Sequence, residues 1–334
     1  MSDIKIEANP FHHWVNLAQP RLGARVVYTT DDFFAAKERL IDPADPVFIA
    51  DRFDDNGKWM DGWESRRRRV PGHDHCIIQL GAAGIIHGVD IDTTHFTGNY
   101  PPAASIEACT SDEVIPADAA EWQEIVANTG LAGDAHHYLT IDNGERYTHL
   151  RLNIYPDGGI ARLRVYGQIQ PEWDRYDAAQ NIDLLAMTNG GRAIVCNDEH
   201  FGSMHNLNAP GRGVNMGDGW ETRRRREPGN DWVILALGHS GEIDSIEIDT
   251  AYFKGNYPDR ASIQAARVYS PDIASIATQS LNWDTLLPEV KLEMDARQEF
   301  REQICSIGAI NYVRLNIFPD GGVSRLRMFG RISR

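Results

Sequence analysis

Two runs of four arginines, Arg66 to Arg69 and Arg223 to Arg226, each follow a tryptophan–glutamate pair, Trp63-Glu64 and Trp220-Glu221. Arginine's planar fork matches a carboxylate bidentately. A carboxyl between a tryptophan and arginines is either held ionised by the cations or shielded by the aromatic wall, and the sequence leaves both open. In extended backbone alternate guanidiniums project to opposite faces, so one pair of each run enters a cleft while the other meets solvent or pairs with acids such as Asp61, Glu64 and Asp74. Asp31-Asp32 and Asp198-Glu199-His200 offer acidic site groups, turn caps or oxygen ligands for a divalent cation, Mn or Ca. Neither the ligand series of an EF-hand nor an HExxH zinc motif is present, and no cofactor is required by the pattern. His12-His13, His73-x-His75 and His136-His137 have no partners in register elsewhere in the chain and read as surface or packing histidines.

These residues recur because the chain is duplicated. Asp61 to Asp74 matches Asp218 to Asp231 at 11 of 14 positions, an offset of 157 residues. The same offset carries the loop His95-Phe96-Thr97-Gly98-Asn99-Tyr100-Pro101 onto Tyr252-Phe253-Lys254-Gly255-Asn256-Tyr257-Pro258. Its Gly and Asn suit positive φ, and its aromatic and proline stiffen the return. Arg151 to Gly167 matches Arg314 to Gly330 at an offset of 163, so copy two gains six residues in between. The polar stretch Gln168 to Gln180 reads as the linker, giving domains 1–169 and 170–334.

Within each copy the pattern is mostly strand. Cys76 to Gly81, Trp232 to Gly238 and Gly88 to Asp92 are short apolar or alternating runs, and Tyr147 to Ile154 followed by Pro-Asp-Gly-Gly and Ile160 to Gly167 predicts a hairpin. Asp157, Asp320, Arg151, Arg162, Arg314 and Arg325 repeat in register and read as structural. Helical signal is confined to Ala117 to Ala127 and Pro288 to Ile304. The expectation is all-β: two tandem antiparallel β-sandwiches.

Composition sets the partners. Apolar residues are 42% and charged residues 24%, as in folded globular chains. The formal charge of −15 opposes nucleic-acid binding. No apolar run reaches the roughly 18 residues of a membrane span, and the polar start lacks a secretory pattern. Four scattered cysteines, Cys76, Cys109, Cys196 and Cys305, fit reduced thiols in a cytoplasmic protein.

The order of these blocks resembles the galactose-binding-like jelly roll of discoidin-type domains in each half. DGWE[ST]RRRR, [HY]F-x-GNYP and RLNI[YF]PDGG-x-x-RLR are more specific, and over essentially the whole chain resemble the allantoicase family. The resemblance implies a hydrolase that converts allantoate and water to ureidoglycolate and urea in purine and allantoin degradation. It makes Glu64, Glu221 and His95 the acid/base candidates. His95 is matched by Tyr252, an asymmetry that bears on which copy reacts. Arg66, Arg68, Asn99, Tyr100, Arg223, Arg225, Lys254, Asn256 and Tyr257 become the substrate-binding candidates. No nucleotide or redox cofactor, nucleic acid or membrane is implied, and a closed homo-oligomer is expected. The competing reading is a non-enzymatic discoidin-type module that binds a glycan or other small polar ligand.

Overall fold

One long strand organises each half of the chain. The computed structural model describes residues 9–333 apart from His13, Ala119 and Ser270, and the chain divides between Gln170 and Pro171 into two units. The strands of repeat one used below are β1 (Arg25–Thr29), β2 (Trp63–Glu64), β3 (Asp74–Asp92), β4 (Ala103–Cys109), β5 (Gln123–Gly130), β6 (His136–Thr140), β7 (Arg146–Tyr155), β8 (Gly159–Ile160) and β9 (Arg162–Ile169). The two apolar runs of the sequence are thus halves of one 19-residue strand, β3. Its first half pairs with β1 and β7, and β7 continues the layer to β4 and β5. Its second half pairs with β6 and β9. Pairing changes hands at Gly84, which faces Tyr147 on one side and Ile169 on the other. A Cβ on Gly84 would lie 2.4 Å from the Gln168 carbonyl oxygen, so glycine is needed for this approach. Alternate residues, among them Ile78, Ile106, Leu152 and Leu163, are fully buried and form the core of the sandwich.

Repeat two follows the same plan with β10 (Arg192–Cys196), β11 (Trp220–Glu221), β12 (Asp231–Asp249), β13 (Arg260–Ala266), the helix α1 (Ile273–Gln279), β14 (Asp284–Lys291), β15 (Arg297–Phe300), β16 (Ile310–Phe318), β17 (Gly322–Val323) and β18 (Arg325–Ile332). The first half of β12 pairs with β10 and β16, and β16 leads to β13 and β14; its second half pairs with β15 and β18. The all-β tandem sandwich expected from the sequence is the fold observed.

Three local expectations are corrected. β7 and β9 are not a hairpin: both flank β3, one on each half, because alternation specifies which face is buried and not which strand is the neighbour. The Pro-Asp-Gly-Gly segment instead feeds β8, which pairs with β2 and sets Gly159 opposite Glu64. Neither predicted helix forms. Gln123–Gly130 and Asp284–Lys291 are strands, and the α-helix among the described residues lies at Ile273–Gln279, inside the segment gained by copy two. Finally, the left-handed backbone of the aromatic loops falls on His95 (φ 71°) and Tyr252 (φ 70°), not on Gly98, Asn99 or their counterparts. The Asp134 and Asp295 carboxylates accept from the His95 and Tyr252 backbone N–H groups at 2.8 and 2.7 Å, which offsets the cost of that conformation.

Candidate active site

The elements around Glu64 are held by the recurring charged residues. Trp63 is fully buried, and its Nε1–H donates to the Asp31 carbonyl oxygen at 2.9 Å. β8 lies antiparallel to β2 on one side, while Ala35 exchanges backbone hydrogen bonds with Glu64 on the other. Arg162, fully buried, ties this frame together by donating to the Asp61 carboxylate at 2.8 Å and to the Ala44 and Asp61 carbonyls. Gly159 can approach only because it lacks a side chain: a Cβ there would lie 2.0 Å from the Phe96 ring. Each feature recurs in repeat two, with Trp220 donating to the Asp198 carbonyl, Arg325 pairing with Asp218 at 2.8 Å, and Gly322 against Phe253.

Inside this frame Asn99 Nδ2 donates to Glu64 Oε1 at 2.8 Å, and the Asn99 carbonyl accepts from Gly159 N–H at 2.7 Å. The [HY]F-x-GNYP loop, the Pro-Asp-Gly-Gly segment and the WE strand therefore meet at one carboxyl group. Burial pushes Glu64 above the usual carboxylate range, against the smaller opposite effect of Asn99. Asn256 donates to Glu221 in the same way, and the Asn256 carbonyl accepts from Gly322 N–H. Tyr100 and Tyr257 flank these asparagines and pack on the cores of their own repeats. Lys254 lies 3.8 Å from the Asp295 carboxylate. The His95 ring places Nε2 at 3.2 Å from the Pro46 carbonyl oxygen, beside Phe48.

The arginine runs alternate as extended backbone requires. Arg66 Nε and Nη2 lie 2.8 and 2.6 Å from Asp31 Oδ2, and the Arg66 N–H donates to Asp31 Oδ1 at 2.8 Å. Burial would raise Asp31, but these contacts and the Phe33 N–H outweigh it and hold the carboxyl below its ordinary range. Arg68 Nη1 lies 2.6 Å from Asp74 Oδ1, while Asp157 accepts from the Arg68 backbone at 2.8 Å. Arg223 with Asp198, and Arg225 with Asp231 and Asp320, repeat the arrangement. Arg67, Arg69, Arg224 and Arg226 are exposed. In repeat two the run borders a cleft of about 490 Å³ that Arg223, Arg224, Arg225 and Arg226 line together. Both oxygens of Asp31 accept hydrogen bonds from Arg66. Among the described residues no group of three or more His, Cys, Asp or Glu side chains forms a metal-ligating cluster.

Two histidines that the sequence pattern marks as surface or packing residues line a cavity. In repeat one, His73 and His75 stand with Arg68, Arg151 and Asn153 around a space of about 540 Å³ on the polar face of the sheet. Strand alternation places His75, Arg151 and Asn153 on one face, but the open space above them depends on the segment that only copy two gained, which no local signal in copy one reveals. His136 pairs with Asp90 at 2.8 Å. The His12 ring lies 3.0 Å from the Asn9 carbonyl, and His13 is outside the described residues. All four cysteines are free, and burial pushes the Cys109 thiol up to about 11. No helix among the described residues is long and apolar enough to cross a membrane.

Fold and site define a duplicated jelly-roll protein with a carboxyl–amide centre in each half. A family model described as Allantoicase repeat matches residues 15–170 and 182–333. A probable allantoicase of Pseudomonas syringae pv. syringae is 56% identical over 331 residues, covering 99% of this chain and 100% of that protein. One of Photobacterium profundum is 57% identical over 320 residues, covering 96% and 97%. The crystal structure of allantoicase from Saccharomyces cerevisiae superposes with a TM-score of 0.79 at 37% identity, covering 95% of this chain and 92% of that one. The chain belongs to the allantoicase family.

Proposed function

We propose that the allantoate hydrolysis this family membership gives the chain takes place in the first repeat, with Glu64 as proton donor. The reaction joins water to the central carbon of allantoate and breaks the bond from that carbon to one ureido nitrogen. The leaving nitrogen must gain a proton to depart as urea, and the attacking water must lose one to leave ureidoglycolate. Glu64, which burial keeps protonated to higher pH, suits the first transfer. If the His95 Nε2–H donates to the Pro46 carbonyl, Nδ1 keeps its lone pair and can take the water's proton. Arg66 retains Nη1 for the substrate carboxylate after its contacts with Asp31, and Arg68, Asn99 and Tyr100 complete the binding set. Arg223, Arg225, Lys254, Asn256 and Tyr257 are assigned ligand contact in repeat two, beside Glu221, the counterpart of Glu64.

The observation that carries this reading is the buried Glu64–Asn99 contact in the repeat that also has His95 where the other has Tyr252. The test is urea release from allantoate by the pure full chain, with ureidoglycolate formed in equal amount. Absence of both, with or without added Mn²⁺, overturns it. The four free cysteines and the charge of −15 support a cytoplasmic protein without a nucleic-acid partner, and a closed homo-oligomer is the expected assembly.

A further inference from the structure

The polar sheet faces of the two repeats carry the same residues with opposite fates. In repeat two, Arg314 is buried beside α1: its Nη1 donates to Ser280 Oγ at 2.7 Å and reaches the Ala277 carbonyl at 3.4 Å, while its guanidinium lies 4.4 Å over Trp232. Asn316 next to it donates to Gln264 at 3.2 Å. Thus the chain's own helix end supplies oxygen acceptors to that arginine. Repeat one has Arg151 at the position of Arg314, Asn153 for Asn316, Glu107 for Gln264 and His75 for Trp232, with no helix above them among the described residues. Arg151 stays only 17% exposed, stacked 4.6 Å over Trp122 and bonded through Nε to Glu107 Oε2 at 2.7 Å. Its two terminal amino groups make no hydrogen bond among the described residues. Asn153 donates to the same Glu107 oxygen at 2.9 Å, leaving Oε1 without a donor among the described residues.

From this contrast we infer that the open face of repeat one is a binding site, centred on Arg151 and not on Glu64 although Arg68 borders it, for one small carboxylate that also carries amide or ureide N–H groups. The carboxylate takes the place that Ala277 and Ser280 fill in repeat two, against the Arg151 fork. The N–H groups meet Glu107 Oε1 and His75. Burial, with the charges of Arg151 and His73, holds His75 below the ordinary histidine range, so at neutral pH its ring offers an acceptor. A cavity of about 540 Å³ is of the size small-molecule sites use. The site is expected once per chain, since α1 and Trp232 occupy its counterpart.

The test titrates N-carbamoylglycine, the simplest ureido carboxylate, into the full chain by calorimetry and locates it by crystal soaking. Soaked crystals are expected to show it against Arg151. His75→Trp installs the residue repeat two uses and should weaken binding at least tenfold with the thermal midpoint retained. Arg151→Lys keeps the charge but removes the fork, and should weaken it at least fivefold; it serves if the tryptophan variant fails to fold. Glu64→Gln and Glu221→Gln, which test the reaction, should leave the probe in this pocket. Unchanged affinity in the pocket variants, or the probe found only near Glu64 or Glu221, overturns the inference and leaves the proposed reaction standing.

Discussion

Repeat one and repeat two share a frame and differ in what the frame leaves open. The tryptophan bound to an aspartate carbonyl, the buried arginine–aspartate pair, the glycine under a phenylalanine and the Glu–Asn contact recur residue for residue. Two of the differences stand out. His95 is replaced by Tyr252 at the same left-handed position, and a segment containing α1 covers the sheet face that repeat one leaves exposed. Duplication preserved the frame around the carboxyl group, including the arginines, asparagines and tyrosines beside it, and changed the residue at position 95 and the cover over one sheet face. The repeated pairs Arg162–Asp61 and Arg325–Asp218 hold the frame in both halves, and the unmatched residues distinguish one half from the other.

The largest structural effect expected is equal in both halves. Arg162→Met strands the Asp61 carboxylate and Arg325→Met strands Asp218, each in a largely buried setting, so each should cost about 3–5 kcal/mol in denaturant unfolding of its repeat. A cost confined to one repeat would break the claim of a common frame. A smaller effect is expected from Glu64 in repeat one. Burial raises Glu64 above its unfolded pKa, so the folded state binds the extra proton. Stability from this group is full below the unfolded pKa and is lost as pH rises through the folded one. The midpoint of the wild-type chain should therefore decline across that window, and Glu64→Gln should flatten the decline. A slope that persists in the variant would assign it to another group.

Much of this is legible in the sequence because duplication exposes function and frame together. The offset of 157 residues alone pairs Glu64 with Glu221 and Asn99 with Asn256, and alternation picks out Arg66, Arg68, Arg223 and Arg225 as the acid-paired members, although in repeat two all four arginines border one cleft instead of an alternate pair. Strand neighbours are less accessible. Tyr147 to Gly167 reads as a hairpin because local alternation is blind to β3 lying between the two strands. The seven-residue α1 lacks a long amphipathic pattern, and its effect lies in covering Arg314, a contact with no local signal. His73 and His75 read as surface or packing residues because copy two has no histidines to match them. In the fold that missing counterpart marks the divergent face.

The central claim, that the proton donor is Glu64 of the first repeat, is tested most directly by urea release from allantoate in purified full-length Glu64→Gln and Glu221→Gln variants measured side by side. Loss of general acid catalysis should lower kcat of Glu64→Gln by about 10²–10⁴-fold, while Glu221→Gln stays within about threefold of the wild type. Equal losses in the two variants, or the larger loss in Glu221→Gln, would contradict it.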